Sequence, residues 1–314
     1  MLIFALAQRN GVTQPHASVA ALRAAHAITD LQSFLDIYYA DASVLLHEAD
    51  FFDMAYTYSE RAAADGVLHA ELFFDPQTHT ERGVDIGVVI EGLHRACRQA
   101  KAELGLDASL ILCFLRHLSE DAALATLAAA LPWRDQFIGV GLDSSERGTR
   151  RRSSRGYSPR RGHWDCTARR MRVRRARRPT STARWRCCRS SPSTTACAAS
   201  KARPWWRGWR ARMPLTVCPL SNIGLCVFTT LAEHNLPALL DAGLCATVNS
   251  DDPAYFGGYV NDNFIATFEA LPQLGVALAY QLLRNSFEAS FASAADKAGW
   301  IARLDAAFAG AALR

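Results

Sequence analysis

Two stretches decide the fold: LTVCPLSN at Leu215–Asn222 and CATVNSDDP at Cys245–Pro253. Each begins as a short apolar run and ends in polar residues, which reads as a strand. Between them Leu236–Ala242 reads as a helix. A strand, a helix and a strand in that order form a parallel pair with the helix laid across one face. Parallel strands covered on both sides are continuous apolar runs, as these are, so the class is α/β.

The same rhythm runs outward. Pro15–Ile28 reads as a helix with Pro in its first turn, and Phe51–Asp65 as another. HAELFFDP (His69–Pro76) is a short strand ended by Pro. Val84–Leu104 places Val88, Val89, Leu93 and Cys97 at helical spacing. ASLILCFLRH (Ala108–His117) is a buried strand, Glu120–Leu131 a helix behind the N-cap Ser119, and FIGVGLDSS (Phe137–Ser145) a further strand. Helices close the chain at Asn263–Leu271, Ala277–Phe291 and Ala295–Phe308. Several such units predict a (β/α) barrel, with a doubly wound sheet as competitor. Either architecture does its chemistry at strand C-termini, where Asp75, Asp143, Ser221, Asn222, Asp251 and Asp252 stand.

Charge divides the 314 residues sharply. Residues 150–212 hold 20 Arg and one Lys against a single acid, Asp165, whereas the rest holds 14 basic and 29 acidic residues. An acidic globular chain thus encloses a block of net +20, and the overall +5 hides it. No apolar run approaches the roughly 20 residues that span a bilayer. The opening MLIFALAQRN lacks a basic n-region and a cleavage site, so no signal peptide is expected. Nine cysteines without paired metal spacing point to reduced thiols in the cytoplasm.

SDDPAYFGGYVNDNF, preceded by ATVN and CPLSN, resembles the metal-dependent purine deaminases. FALAQRNGV, TDLQSFLDIYY, AELFFDPQTHT, FLRHLSE and GVGLDSSERG resemble the bacterial adenine deaminase branch of the adenosine deaminase family. The likeness covers residues 1–148 and 213–314. It implies a TIM-type (β/α)8 barrel of the metallo-dependent hydrolase kind, holding one zinc. In that family a His-x-His pair, a further His and an Asp hold the metal, which lowers the pKa of a bound water. The resulting hydroxide attacks the amino-bearing carbon of the purine. A Glu three residues after the third His protonates a ring nitrogen, and another His orients the hydroxide. By resemblance Asp251 is the metal ligand and Asp252 the purine contact. Alone, an Asp-Asp-Pro is more often a turn or a cap.

The other groups of that site have no counterpart. The nine histidines (16, 26, 47, 69, 79, 94, 117, 163 and 234) include no His-x-His. That pair is expected ahead of FALAQRN, and Met1 falls after it. Only His117 has a Glu three residues later, and Glu120 reads as a first-turn helix acid. The family's His-x-x-Glu and later His belong between Arg147 and Pro214, where the basic block stands. The barrel is therefore expected to be incomplete, its first and middle strands missing or scrambled. Residues 1–148 and 213–314 are its two parts, and 149–212 is a disordered segment outside it.

From Arg150 to Arg212 there is no Leu, Ile, Phe, Glu, Gln or Asn, yet there are four Cys and five Trp. Such a composition is what GC-rich coding DNA yields when read out of phase. Shifted codons, each made of the last base of one and the first two of the next, permit His-Ala-Gly-Glu-Glu-Gly from Arg170 onward. The same offset permits Ile-Asp-His-Gly-Val-Arg beneath Pro192–Ala198. Their histidines fall 24 codons apart, at Met171 and Thr195, the family's own interval. Three rivals compete: a nucleic-acid arm in which arginines pair with phosphates while Trp185, Trp205, Trp206 and Trp209 stack on bases, a zinc module of Cys166, Cys187, Cys188 and Cys197 with His163, and a plain disordered insertion.

The resemblance implies hydrolysis of adenine to hypoxanthine and ammonia, with adenosine as the nearest alternative and no membrane partner. The chain as written is expected to be inactive, since a catalytic zinc needs about three protein ligands and an open position. No catalytic residue is assigned. The alternatives of another class are a non-catalytic barrel remnant and a basic nucleic-acid-binding protein.

Overall fold

The computed structural model describes residues 2–13, 28–145, 186–187 and 214–311. All of the expected helix at Pro15–Ile28 but Ile28, and all of 149–212 but Arg186 and Cys187, lie outside the described residues.

The first half opens with two helices, α1 (Leu2–Arg9) and α2 (Leu31–Ala42), which apolar spacing did not announce. Asp30 starts α2 because its carboxylate accepts the Ser33 N–H at 2.9 Å while the Ser33 hydroxyl oxygen accepts the Asp30 N–H at 3.1 Å. There follow α3 (Glu48–Ala64), β1 (His69–Phe74), α4 (Gln77–Thr80), α5 (Ile86–Leu104), β2 (Asp107–Leu115), α6 (Glu120–Ala130), β3 (Gly139–Asp143) and β4 (Arg186–Cys187). Their order in the sheet is β1-β2-β3-β4, all parallel, with His69 opposite Asp107 and Leu115 opposite Asp143. Two residues of the basic block therefore extend the sheet, Arg186 beside Gly139 and Cys187 beside Val140. The caps follow the sequence. Ser119 accepts the Ala122 N–H at 3.2 Å, and Gly105 closes α5 at φ 68°.

The second half holds β5 (Leu215–Val217), α7 (Pro219–Gly224), α8 (Leu236–Asp241), β6 (Ala246–Val248), α9 (Pro253–Phe256), α10 (Val260–Ala270), α11 (Val276–Ala289) and α12 (Ala294–Ala311). β5 and β6 pair in parallel, from Leu215 opposite Ala246 to Val217 opposite Val248. The expected strand LTVCPLSN stops at Val217 because Pro219 has no N–H for a ladder and is preset for the first turn of a helix. The expected strand CATVNSDDP likewise stops early, at Val248, and Pro253 opens the short helix that follows.

Each half has its core. Phe51, Val89, Ile90, Leu110 and Leu112 are at most 1 % exposed where α3 and α5 cover the first sheet. Val217, Leu236, Ala246, Val248 and Leu282 fill the second. Burial of each of these side chains other than Ala246 stabilises by roughly 1.5–3 kcal/mol. The halves are joined by the Tyr255 hydroxyl donating to Asp41 at 3.0 Å and by Asn261 donating to the Asp65 carbonyl at 3.1 Å. Among the described residues no helix is long and apolar enough to cross a membrane.

Candidate functional site

The strands' C-terminal ends gather four carboxylates. Asp75 follows β1, Asp143 ends β3, and Asp251 and Asp252 follow β6. The consecutive pair divides its duties. Asp251 adopts φ 56°, a left-handed conformation that Asp tolerates better than most residues, and accepts the Ser221 hydroxyl at 2.6 Å. Ser221 sits in α7, one turn past β5, so the two strand ends of the second sheet are pinned together. Asp252 instead feels the first sheet. Desolvation, then the charges of Asp251, Asp143 and Asp75, hold its carboxyl well above the usual carboxylate range.

The same field acts on the neighbours. Asp75 is buried, and desolvation together with Asp143 pushes its carboxyl up to about 7, against hydrogen bonds from the Thr78 hydroxyl and N–H. Desolvation raises Asp143 too, opposed by the Ser144 N–H and by Arg116. Tyr38 of α2 lies within reach of this charge: desolvation and then Asp75, Asp252 and Asp143 disfavour its phenolate.

α2 forms a wall over the Asp251–Asp252 turn. Phe34 meets Tyr255 edge-on at 5.4 Å and Phe256 at 4.8 Å between ring centres, and Tyr38 meets Tyr255 at 6.2 Å. Tyr39 donates to the Ser144 hydroxyl oxygen at 2.8 Å, and His117 Nδ1 lies 2.9 Å from the same oxygen. Ser144 itself stands at φ 77°, strain of the kind that clusters at working sites. Tyr38, Tyr39 and Ser144 escaped the sequence reading, which weighed His117 only with Glu120, because nothing in TDLQSFLDIYY marks which helix face meets a strand end. Of the six residues expected at strand ends, Asn222 lies apart, its Oδ1 2.9 Å from His234 Nε2.

Two buried histidines are occupied elsewhere. His79 is buried, packs edge-on against Phe51 at 4.8 Å and sits 2.8 Å from an Arg82 nitrogen; desolvation and Arg82 bring it down to about 4. Desolvation likewise lowers buried His234 to about 4. Glu120 is exposed in the first turn of α6. Among the described residues no group of three or more His, Cys, Asp or Glu side chains is arranged to hold a metal ion.

Parallel strands whose C-terminal ends bring acidic side chains together under an aromatic helix define an α/β protein with an acidic site at its strand ends. The sequence profile named Adenosine deaminase matches residues 1–163 and 208–307, breaking off inside the basic block. An adenine deaminase of Geotalea uraniireducens is 53% identical over 321 residues, covering 98% of this chain and 87% of that protein. The crystal structure of an adenine deaminase from Arthrobacter aurescens superposes with a TM-score of 0.80 at 36% identity, over 97% of this chain and 93% of the other. A zinc-bound amidohydrolase from Burkholderia ambifaria shares the fold, with a TM-score of 0.76 at 20% identity over 99% of this chain and 87% of its own. The chain belongs to the adenosine deaminase family.

Proposed function

We propose that these 314 residues form the scaffold of a zinc-dependent adenine deaminase that lacks its catalytic centre. The family membership and the relatives named adenine deaminase support adenine, rather than adenosine, as the substrate of the intact enzyme. In such an enzyme Asp251 would be one metal ligand, and Asp252 would hydrogen-bond the purine edge. Zinc would supply a hydroxide at neutral pH. We place the protein in the cytoplasm, in keeping with Cys97 and Cys245 being thiols rather than disulfides.

The residues present do not fit zinc. Asp251 already accepts the Ser221 hydroxyl, the sequence has no His-x-His pair, and the described residues contain no three-donor group. The lack of a His-x-His pair in the sequence carries the reading. The His-x-x-Glu segment and the later His would be restored by reading the nucleotides of 149–212 in the shifted register, with the barrel's middle strands; as written the barrel is incomplete.

The test is turnover of adenine and of adenosine by the purified, mass-verified chain, followed by ammonia release, with its zinc content measured alongside. No turnover and no stoichiometric zinc are expected. Turnover of either substrate overturns the reading, and nucleotides that encode no His or Glu in the shifted register overturn its explanation.

A further inference from the structure

At the opposite end of the first sheet, away from the carboxylate site, His69 begins β1 with its side chain only 6 % exposed. Its Nδ1 lies 2.8 Å from Asp107 Oδ2 and its Nε2 lies 3.1 Å from Glu71 Oε1. Ionised carboxylates only accept hydrogen bonds, so each ring nitrogen must donate, and a ring with two N–H groups is the imidazolium. The charged groups facing it are Glu71 from β1 and Asp107 from β2. Lys101 of α5 donates to the other Asp107 oxygen at 2.6 Å, and Asp296 of α12 acts on Lys101. From α12 itself His69 meets Trp300, stacked at 4.9 Å between ring centres and 25° between planes. Glu71 Oε1 also accepts the Phe291 N–H at 2.5 Å, in the turn that leads into α12.

The C-terminal helix has little else to hold it. None of its described side chains is fully buried. Among the described residues its other ties include the Tyr280 hydroxyl on Asp305 at 2.6 Å, Lys297 on the Glu288 carbonyl at 2.9 Å, and ring contacts of Trp300 with Phe287 and Phe308 with Tyr280, all to α11. Among the described residues the hydrogen bonds and ring contact that tie this region to the sheet belong to the His69 cluster.

We propose that His69 is a protonation-dependent latch that docks the Phe291 turn and α12 onto the N-terminal end of the first sheet. A neutral ring has one N–H, so loss of the proton strips one carboxylate of its donor and leaves Glu71 and Asp107 repelling each other across it. Desolvation opposes the charge on His69, but Glu71 and then Asp107 outweigh it and raise its pKa above the usual value. The sign follows: docking is complete below the ordinary histidine value of about 6.5 and weakens as pH rises through the raised one. The latch is independent of whether the chain turns over adenine.

Hydrogen exchange, corrected for its intrinsic pH dependence, reads this directly. Between about pH 6 and about pH 9, protection of residues 291–311 is expected to fall about tenfold, while the β2 amides keep theirs. His69→Gln should show the lower protection at both pH values. Glu71→Gln, which keeps the shape and removes one charge, should move the transition to lower pH. If His69→Gln fails to fold, the pH series of the unaltered chain and Glu71→Gln decide. Equal protection of 291–311 at the two pH values, or ring NMR shifts showing a neutral His69 at about pH 6, overturns the proposal.

Discussion

Asp75 shows what a carboxylate at the end of β1 costs. Its folded-state value of about 7 lies far above the ordinary 3.8, so between those values the folded chain binds the extra proton and stability falls as pH rises. Asp75→Asn keeps an oxygen for the Thr78 hydroxyl and removes the charge. It is expected to stabilise the protein by roughly 2–4 kcal/mol above about pH 7 and by nothing near pH 4. Urea midpoints at both pH values check this; equal midpoints at the higher pH would mean that Asp75 keeps its water. Asp50 is the converse case. Fully buried, it accepts the Leu46 and His47 N–H groups at 2.9 and 2.8 Å, Asn10 at 2.7 Å, and Arg9. Desolvation alone would raise its carboxyl, but these donors hold it below the usual range, so their stabilisation is present at neutral pH and fades in acid. Asp50→Ala is expected to cost about 3–5 kcal/mol at pH 7, because it orphans several donors at the start of α3. Loss of less than 1 kcal/mol in a denaturant titration would contradict that.

Among the elements, α5 was the plainest to read: Val89, Leu93 and Cys97 lie on the face that it buries, and Asp85 and Gly105 bound it. Gly92 lies on that face for a reason that periodicity does not supply. A Cβ there would stand 2.5 Å from the Glu48 carbonyl oxygen and 2.9 Å from the Phe51 Cβ, so α3 crosses α5 where Gly92 leaves room for it. Helix propensity favours Ala over Gly by about 1 kcal/mol, but the clash is with backbone and cannot relax cheaply. Gly92→Ala is therefore expected to destabilise by about 1–3 kcal/mol, read as a lower denaturation midpoint; a stabilised variant would show that the helices part freely. Less of α2 was legible. Its buried face is only Phe34, Leu35, Asp41 and Ala42, and its capping box, Asp30 with Ser33, uses a serine where the familiar signature has Glu or Gln. The short helices after β5 and β6 were hidden for another reason. Pro219 follows directly on an apolar run and Pro253 on four polar residues, and polar residues at a strand end look alike whether they coil or turn into a helix.

For the whole molecule, the two flanks were legible because burial imposes period and caps on them, and the acidic pair at Asp251–Asp252 because long family-like segments frame it. Tyr38, Tyr39 and Ser144 were not, since their roles depend on strand ends brought together across a hundred residues. The basic block obeys neither constraint, and the family profile leaves out 164–207 within it. If its nucleotides are decoded in the wrong register, the flanks lack strands and helices that would cover apolar surface such as Phe73 of β1, which is 41 % exposed. The chain as written is then expected to bind a hydrophobic dye and to unfold over a broad range. A gene recoded so that only 149–212 is read in the shifted register should give a protein that unfolds in one sharp transition, several kcal/mol more stable. Covering even 100 Å2 of apolar surface contributes about 2.5 kcal/mol. A nucleic-acid arm predicts the reverse: recoding would leave stability unchanged and abolish a salt-sensitive shift of single-stranded nucleic acid that the original chain produces. Thermal unfolding and gel shift, run on both proteins side by side, separate a scrambled scaffold from a basic arm.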